Sequence, residues 1–377
     1  MMKAIVSDSY GNHQNLKLTN DHPLPYTNIN EMPKNKPLLI QTLAVALAPG
    51  DARVLSGTCK MFNGPPSFPY VPGGDVCGIV EHIDTNQVKD DSELGYQVGD
   101  RIAARFTEGP RGALGEYATI STSMATKVPD NVSAEDAAVL ASSGSIAYQL
   151  SKRFTDVNER VLIVGAGGGV GSHLCQFLKL KGYTFIAGVS KDPKRLLKQP
   201  ISCNVALDYT QNDPYNLENW KKQHISEPFD TIVDLAGGGW ICLLEQSENQ
   251  DGLQIIKTAK EGGRYLTLTY DEALFSVDSI GYALNLFLCI PLFRAMVSRC
   301  VQRSKMPRYT FAMSLDDDVD LLKDTLKLAS EGKIVACKDD RGPFEFTTEG
   351  AQEAFKIQES RHVRGKVVIK GPSNMEK

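Results

Sequence analysis

The chain has 377 residues, 42% hydrophobic and 23% charged, with a formal net charge of −4. That length is too great for one ordinary core and fits two domains, and the composition argues against disorder. With a mild negative charge and no Lys/Arg-rich patch, the chain has no basic field for nucleic acid, and no such partner is expected.

In chain order, Met2-Lys3-Ala4-Ile5-Val6 reads as a first strand, and nothing ahead of it has the pattern of a secretory or organellar leader. Residues 1–127 carry short apolar runs broken by Pro and Gly, such as Leu38 to Val45 and Gly78 to Ile83. Turn signals such as Val98-Gly99-Asp100-Arg101 follow at short intervals, which predicts an all-β region forming a small barrel.

The pattern changes near Val128-Pro129, and Ser133-Ala134-Glu135-Asp136 reads as the N-cap of a helix. From there the spacing predicts a strand over Arg160–Val164, a helix over Val170–Gly182 and a strand over Phe185–Val189. A short helix over Pro193–Lys198 and strands at Asp230–Leu235 and Arg264–Thr269 follow. Strands that are almost wholly apolar are buried on both faces, so this middle region is expected to be a parallel sheet flanked by helices. A helical segment from Leu315 to Leu328, a helix near Gly350–Ile357 and a strand at Lys366–Ile369 close the chain, and this tail is expected to return to the first domain.

The eight cysteines, at positions 59, 77, 175, 203, 242, 289, 300 and 337, form no C-x-x-C pair. They read as reduced and mostly buried thiols, which suggests a cytoplasmic protein. The apolar stretch Ile280–Phe293 would span about 21 Å as a helix, short of the roughly 30 Å hydrocarbon layer. Pro291 and Arg294 interrupt it, so no transmembrane span is expected and core packing is the preferred reading, ahead of a dimer surface or a substrate mouth.

Val161 to Val164 runs into Gly165-Ala166-Gly167-Gly168-Gly169-Val170-Gly171 and then into a helical segment. In the G-x-G-x-x-G register the positions are Ala166, Gly168 and Gly171, with alanine in place of the first glycine. Small residues here let the backbone turn and approach a pyrophosphate, and the helix N-terminus offers free N–H groups and partial positive charge. Gly165, Ala166, Gly168, Gly169, Val170 and Gly171 are therefore the candidate dinucleotide-binding residues. Where NAD-preferring sites place an acid after the second strand, this chain has Ser190 and Lys191, with Arg195 one turn later. A cation there pairs with a 2′-phosphate, so NADPH is the expected cofactor.

Several stretches in order resemble the medium-chain dehydrogenase/reductase superfamily, in particular its zinc-free quinone-oxidoreductase branch. They are Ala48-Pro49-Gly50-Asp51, Pro72 to Val80, Val98 to Arg101, Gly112 to Tyr117, the glycine turn, Ala206-Leu207-Asp208-Tyr209 and His362 to Ile369. Tyr309 to Met313 and Gly332-Lys333-Ile334 are similar to the mitochondrial reticulon-interacting oxidoreductases. The resemblance implies a GroES-like β-barrel domain over 1–127, with 316–377 returning to it, and a Rossmann doubly wound parallel sheet binding NADPH over 128–315. It also implies a homodimer and places Tyr209 near the adenosine phosphate.

The departures matter as much. Zinc-dependent relatives carry Gly-His-Glu where this chain has Gly73-Gly74-Asp75, and a Cys ligand where it has Ala46 to Pro49, so no zinc is expected. Cys59 stands where enoyl-thioester reductases often place a proton-donating Tyr, and Ser142 or Ser143 would have to supply a hydroxyl that the branch often takes from Thr. Asp51 and Tyr70 are the candidate catalytic residues, with a helix cap and a packed aromatic as their structural alternatives. The expected activity is zinc-independent hydride transfer from NADPH to a small-molecule electron acceptor, a quinone or conjugated carbonyl. The alternatives are an enoyl-thioester or enone reductase and a nucleotide-binding scaffold without turnover.

Overall fold

A computed structural model describes residues 1–26, 32–65, 67–87, 95–106, 112–248, 253–271, 277, 279–300, 305–312 and 319–372. The apolar runs at the start of the chain become strands, because Val, Ile, Leu and Thr pack well on a pleated surface. β1 (Met2–Ser7) and β2 (Leu16–His22) form an antiparallel ribbon. β3 (Leu38–Leu47), β4 (Asp75–Ile83), β5 (Arg101–Arg105), β6 (Tyr117–Ile120) and β7 (Ala125–Lys127) build an antiparallel sheet with β14 (Val367–Lys370) from the far end of the chain. The order is β14-β3-β4-β5-β7, with β6 also on β3. Ile40, Val45, Val76, Ile102 and Ile369 fill the core of this unit together with Phe355 from the helix Thr348–Glu359.

By its contacts the chain divides into 1–146 with 316–377 and a second unit over 147–315. The first boundary lies beyond the expected residue 127 for a packing reason. The helix Ala134–Val139, capped by Ser133 Oγ accepting the Asp136 N–H, buries Ala137, Ala138 and Val139 against β3 and β4. It runs on through a π-helical turn, Leu140–Gly144, and the division falls inside the next helix, Ser145–Ser151.

The second unit is a six-stranded parallel sheet: β8 (Arg160–Val164), β9 (Phe185–Ser190), β10 (Val205–Asp208), β11 (Thr231–Asp234), β12 (Arg264–Thr267) and β13 (Arg308–Phe311). Their spatial order is β10-β9-β8-β11-β12-β13. The chain starts in the middle, winds outward to β10, then returns to β11 and winds the other way, as in a Rossmann sheet. The strand order therefore reverses between β8 and β11, and the C-terminal ends of those strands are where such sheets bind ligands. Val161, Leu162 and Ile163 have no exposed surface, as expected of strands covered on both faces.

This unit also holds β10, β13 and the helices Leu217–Lys221 and Gly239–Glu248, none of them expected, and the helix Ile280–Cys300. The last is continuous for 21 residues rather than ending at Phe293, and most of it is exposed, which corrects the core-packing expectation. Pro291 does not break it. A π-helical turn, Asn285–Cys289, comes just before, and that wider turn relieves the clash between the proline ring and the carbonyl four residues back. By length and composition the helix suffices to cross a membrane, so the expectation that it falls short is also corrected. The C-terminal helical segment is observed as Val319–Ser330; Met313 and Leu315 to Asp318 lie outside the described residues.

Candidate functional site

β8 ends at Val164, and the chain turns at Gly165 with φ +85°, a left-handed conformation that glycine adopts without strain. The N–H groups of Gly165 and Ala166 both donate to Val189 O on β9. The left-handed residue is thus Gly165, one ahead of the motif register, which explains why Ala166 is tolerated at the first glycine position. The Ala166 side chain has no exposed surface and packs over Gly188. A Cβ on Gly171 would lie 2.3 Å from Gly165 O and 2.7 Å from Ala166 Cα, so only glycine lets the helix sit this close to the turn. A Cβ on Gly167 would lie 2.6 Å from Ser190 Oγ, so a side chain there would displace that hydroxyl.

Gly168 is the N-cap of the helix Gly169–Leu180 and has no side chain to cap it. The first-turn N–H groups of Gly169, Val170 and Gly171 are left without a side-chain cap, at the positive end of the helix dipole. A Cβ on Gly168 would meet only Gly165 O, at 3.5 Å, so this backbone is open to a ligand. Peptide N–H groups at an uncovered helix start suit a pyrophosphate.

β9 and β10 pair in parallel with Asp208 beside Ser190, so Tyr209 and Lys191 leave neighbouring strand ends together. Both side chains are exposed. Ser190 Oγ accepts the Asp192 N–H, and Asp192 Oδ1 in turn accepts the Arg195 N–H at the start of the helix Pro193–Leu196. That acid caps a helix. Arg195 Nη1 donates to Gly167 O at 3.1 Å and so leans over the glycine turn. The structure thus brings Ser190, Lys191, Arg195 and Tyr209 together at one edge of that turn.

A second glycine loop, not expected from the sequence, follows β11. Asp234 has no exposed surface, yet its carboxylate accepts four hydrogen bonds. Oδ1 takes the N–H groups of Ala236 and Gly237, and Oδ2 takes the Gly239 N–H and the Tyr265 hydroxyl at 2.6 Å. Burial, with Asp234 close by, pushes the Tyr265 and Tyr215 phenols well above their usual range, so both stay protonated. Gly237 and Gly238 have φ +97° and +85°. Leu235 packs on Gly165, so the two glycine loops adjoin at the strand-order reversal. The signal was present in the sequence as a strand, Thr231–Asp234, running into Gly237-Gly238-Gly239 and a helix.

In the first unit, Asp51 has no exposed surface and its Oδ2 accepts the Ala48 N–H at 2.7 Å, so it caps the helix Pro49–Ser56. Tyr70 is buried, its backbone paired with Ser7 in both directions. Asp75 Oδ2 accepts from Lys366 Nζ at 2.7 Å and from Ser142 Oγ, and all three side chains are buried. Ser143 Oγ donates to Val139 O. Both serine hydroxyls are therefore engaged within the unit. Burial pushes the nearby Cys77 thiol up to about 12, so it is neutral. Among the described residues no three His, Cys, Asp or Glu side chains group to hold a metal.

Two family models match the chain: the alcohol dehydrogenase GroES-like domain over residues 34–130 and the zinc-binding dehydrogenase over residues 203–369. The chain is 27% identical over 372 residues to the NADPH-dependent alkenal/one oxidoreductase of Arabidopsis thaliana chloroplasts, an alignment covering 98% of this chain and 79% of that protein. It is 26% identical over 392 residues to the mitochondrial NAD(P)H oxidoreductase RTN4IP1 of Bos taurus, covering 98% and 89%. In fold it is similar to the Escherichia coli quinone oxidoreductase complexed with NADPH, with a TM-score of 0.69 at 19% identity over 98% of this chain and 99% of that one. With both domain types in order and a Rossmann sheet carrying the glycine turn, the chain belongs to the medium-chain dehydrogenase/reductase superfamily, among its quinone-oxidoreductase-like members.

Proposed function

We propose that this protein is an NADPH-dependent, zinc-independent oxidoreductase that reduces a quinone or a conjugated carbonyl compound. The observation that carries the reading is the pairing of an uncapped helix start at Gly168–Gly171 with the exposed cation Lys191 and Arg195 at the end of β9. The helix start would hold the pyrophosphate, the two cations would meet the 2′-phosphate, and the exposed Tyr209 ring would lie beside the adenosine. Asp192, the acid that follows Lys191, is turned back as a helix cap.

When bound, NADPH supplies a hydride. The chain's part is to fix the cofactor by these contacts and to hold the acceptor against it. A conjugated acceptor spreads the resulting negative charge and takes its proton from solvent, so the reading requires neither Asp51 nor Tyr70 as an acid. Nor does it require a Lewis acid, for which Gly73-Gly74 offer no side-chain ligand and Asp75 is already engaged. Eight free cysteines suit a reducing, cytoplasmic setting.

A narrower reading, as an enal or enone reductase, is favoured by the Arabidopsis alkenal/one oxidoreductase, whose likeness runs along 98% of the chain. Steady-state NADPH oxidation with a paired quinone and enone decides between the two. A higher kcat/KM for the quinone supports the broader reading, and turnover of the enone alone narrows it. Tight NADPH binding without reduction of either would leave a nucleotide-binding scaffold and overturn the proposal.

A further inference from the structure

The helix Ile280–Cys300 has two unlike sides. Its inner side is tied to the second unit: Ala283 and Ser298 are buried, and Ser298 Oγ accepts the Tyr309 N–H of β13. Arg294 is held by both oxygens of Asp271, at 2.9 and 2.6 Å. Its outer side presents Leu284, Leu288, Leu292, Phe293 and Met296, each between 51% and 63% exposed. Four of these are spaced four residues apart, so they form one apolar stripe more than three turns long. Soluble proteins rarely leave so continuous an apolar face in water.

The charges around this face indicate what covers it. The sequence from Ser279 to Leu315 holds no acid, although the chain as a whole is negative. Past the stripe stand Arg299, at the helix end, and Lys305 and Arg308, leading into β13; all three are exposed. A second copy of this segment would bring no acid to those cations, whereas a layer of anionic headgroups would. An open groove of about 580 Å³ runs along the helix, and Trp240, Leu244, Ile290, Phe293 and Val297 give an acyl chain mostly apolar walls, with Asn285 and Arg294 as polar points in the lining.

We propose that this helix is a monotopic docking face for an anionic lipid surface. The stripe enters the acyl boundary while Arg299, Lys305 and Arg308 meet the headgroups, the arrangement of an in-plane amphipathic helix. The Arg294–Asp271 pair and the Ser298–Tyr309 bond keep the inner side on the sheet, so the helix lies along the surface and does not cross it. A greasy acceptor dissolved in that lipid would then be delivered close to the enzyme.

Flotation of the full-length protein with vesicles of phosphatidylcholine alone, or with added phosphatidylserine, tests this. Binding is expected only to the anionic vesicles, falling as salt is raised. Leu288→Glu with Leu292→Glu should abolish it, leaving the NADPH affinity unchanged. Arg299→Glu with Lys305→Glu should weaken it by more than about twenty-five-fold, because each surface cation lost is worth about fivefold and each acid gained repels the headgroups. Cys289, exposed on the same face, should react more slowly with a maleimide when vesicles are present. Failure to bind anionic vesicles, or wild-type binding by the charge-reversed pair, overturns the proposal. So does a dimer, seen by light scattering, that the leucine substitutions split while vesicle binding is absent, since the face then joins two copies. If the leucine variant fails to fold, the charge pair alone decides.

Discussion

Lys191 and Arg195 do different work although both are cations at the same strand end. Arg195 already spends one N–H on Gly167 O and so also shapes the glycine turn, whereas Lys191 is exposed. Lys191→Ala should therefore weaken NADPH by about tenfold and leave NADH almost unchanged, the loss of one charge-assisted contact. Fluorescence titration with both cofactors checks it, and equal losses would remove the 2′-phosphate role. The glycines separate in a similar way. Gly171→Ala places a methyl 2.3 Å from Gly165 O, a backbone atom that cannot swing aside, so the substitution should cost about 1–3 kcal/mol of stability. Gly168→Ala meets nothing nearer than 3.5 Å, so it should leave the melting temperature alone and impair only cofactor binding. Thermal melts with and without NADPH distinguish packing from ligand approach.

At the scale of whole elements, the two strand–glycine–helix units of the Rossmann sheet are built on different principles. The first leaves the N–H groups of its helix start without a side-chain cap. The second binds three of its N–H groups to its own buried carboxylate, Asp234, and so arrives with its loop already shaped. Asparagine at 234 would keep the size but offer one acceptor oxygen where four donors converge. Asp234→Asn should therefore destabilise the second unit by about 3 kcal/mol or more and loosen the loop at residues 235–239, measured by denaturant titration and by amide exchange of Gly237 and Gly239. The first unit's motif was legible because the phosphate-binding turn, the apolar strand before it and the helix after it are all local in sequence. Asp234 was not, because a lone Asp at a strand end acquires meaning only when Tyr265, from the next strand, reaches it. The helix Ile280–Cys300 was misjudged for a related reason. Apolar periodicity reports that a face avoids water, but not whether protein or something else covers it. Asp51 shows the same limit: its position in the chain matched the family pattern, while its burial came only from the fold.

Across the whole molecule, the first unit is closed by residues from opposite ends of the chain. β14 pairs with β3 antiparallel, and just ahead of it Lys366 Nζ reaches Asp75 on β4, with Ser142 of the π-helical turn completing the cluster. Three distant segments thus share one buried ion pair, and their register depends on it. Desolvating two charges makes such a pair a poor source of net stability, but breaking it strands the partner. Lys366→Met leaves the Asp75 carboxylate buried with only the Ser142 hydroxyl and should cost about 3–5 kcal/mol. Combining it with Asp75→Leu removes the stranded charge and should restore much of that loss, because the penalty belongs to the unpaired carboxylate rather than to a missing attraction. Both changes lie outside the second unit, so NADPH affinity should hold while the first unit melts earlier. Two resolved transitions in calorimetry, only one of them shifted, would bear this out. A double variant as unstable as Lys366→Met alone would show instead that the cluster's hydrogen bonds, and not its charge balance, hold the returning tail in place.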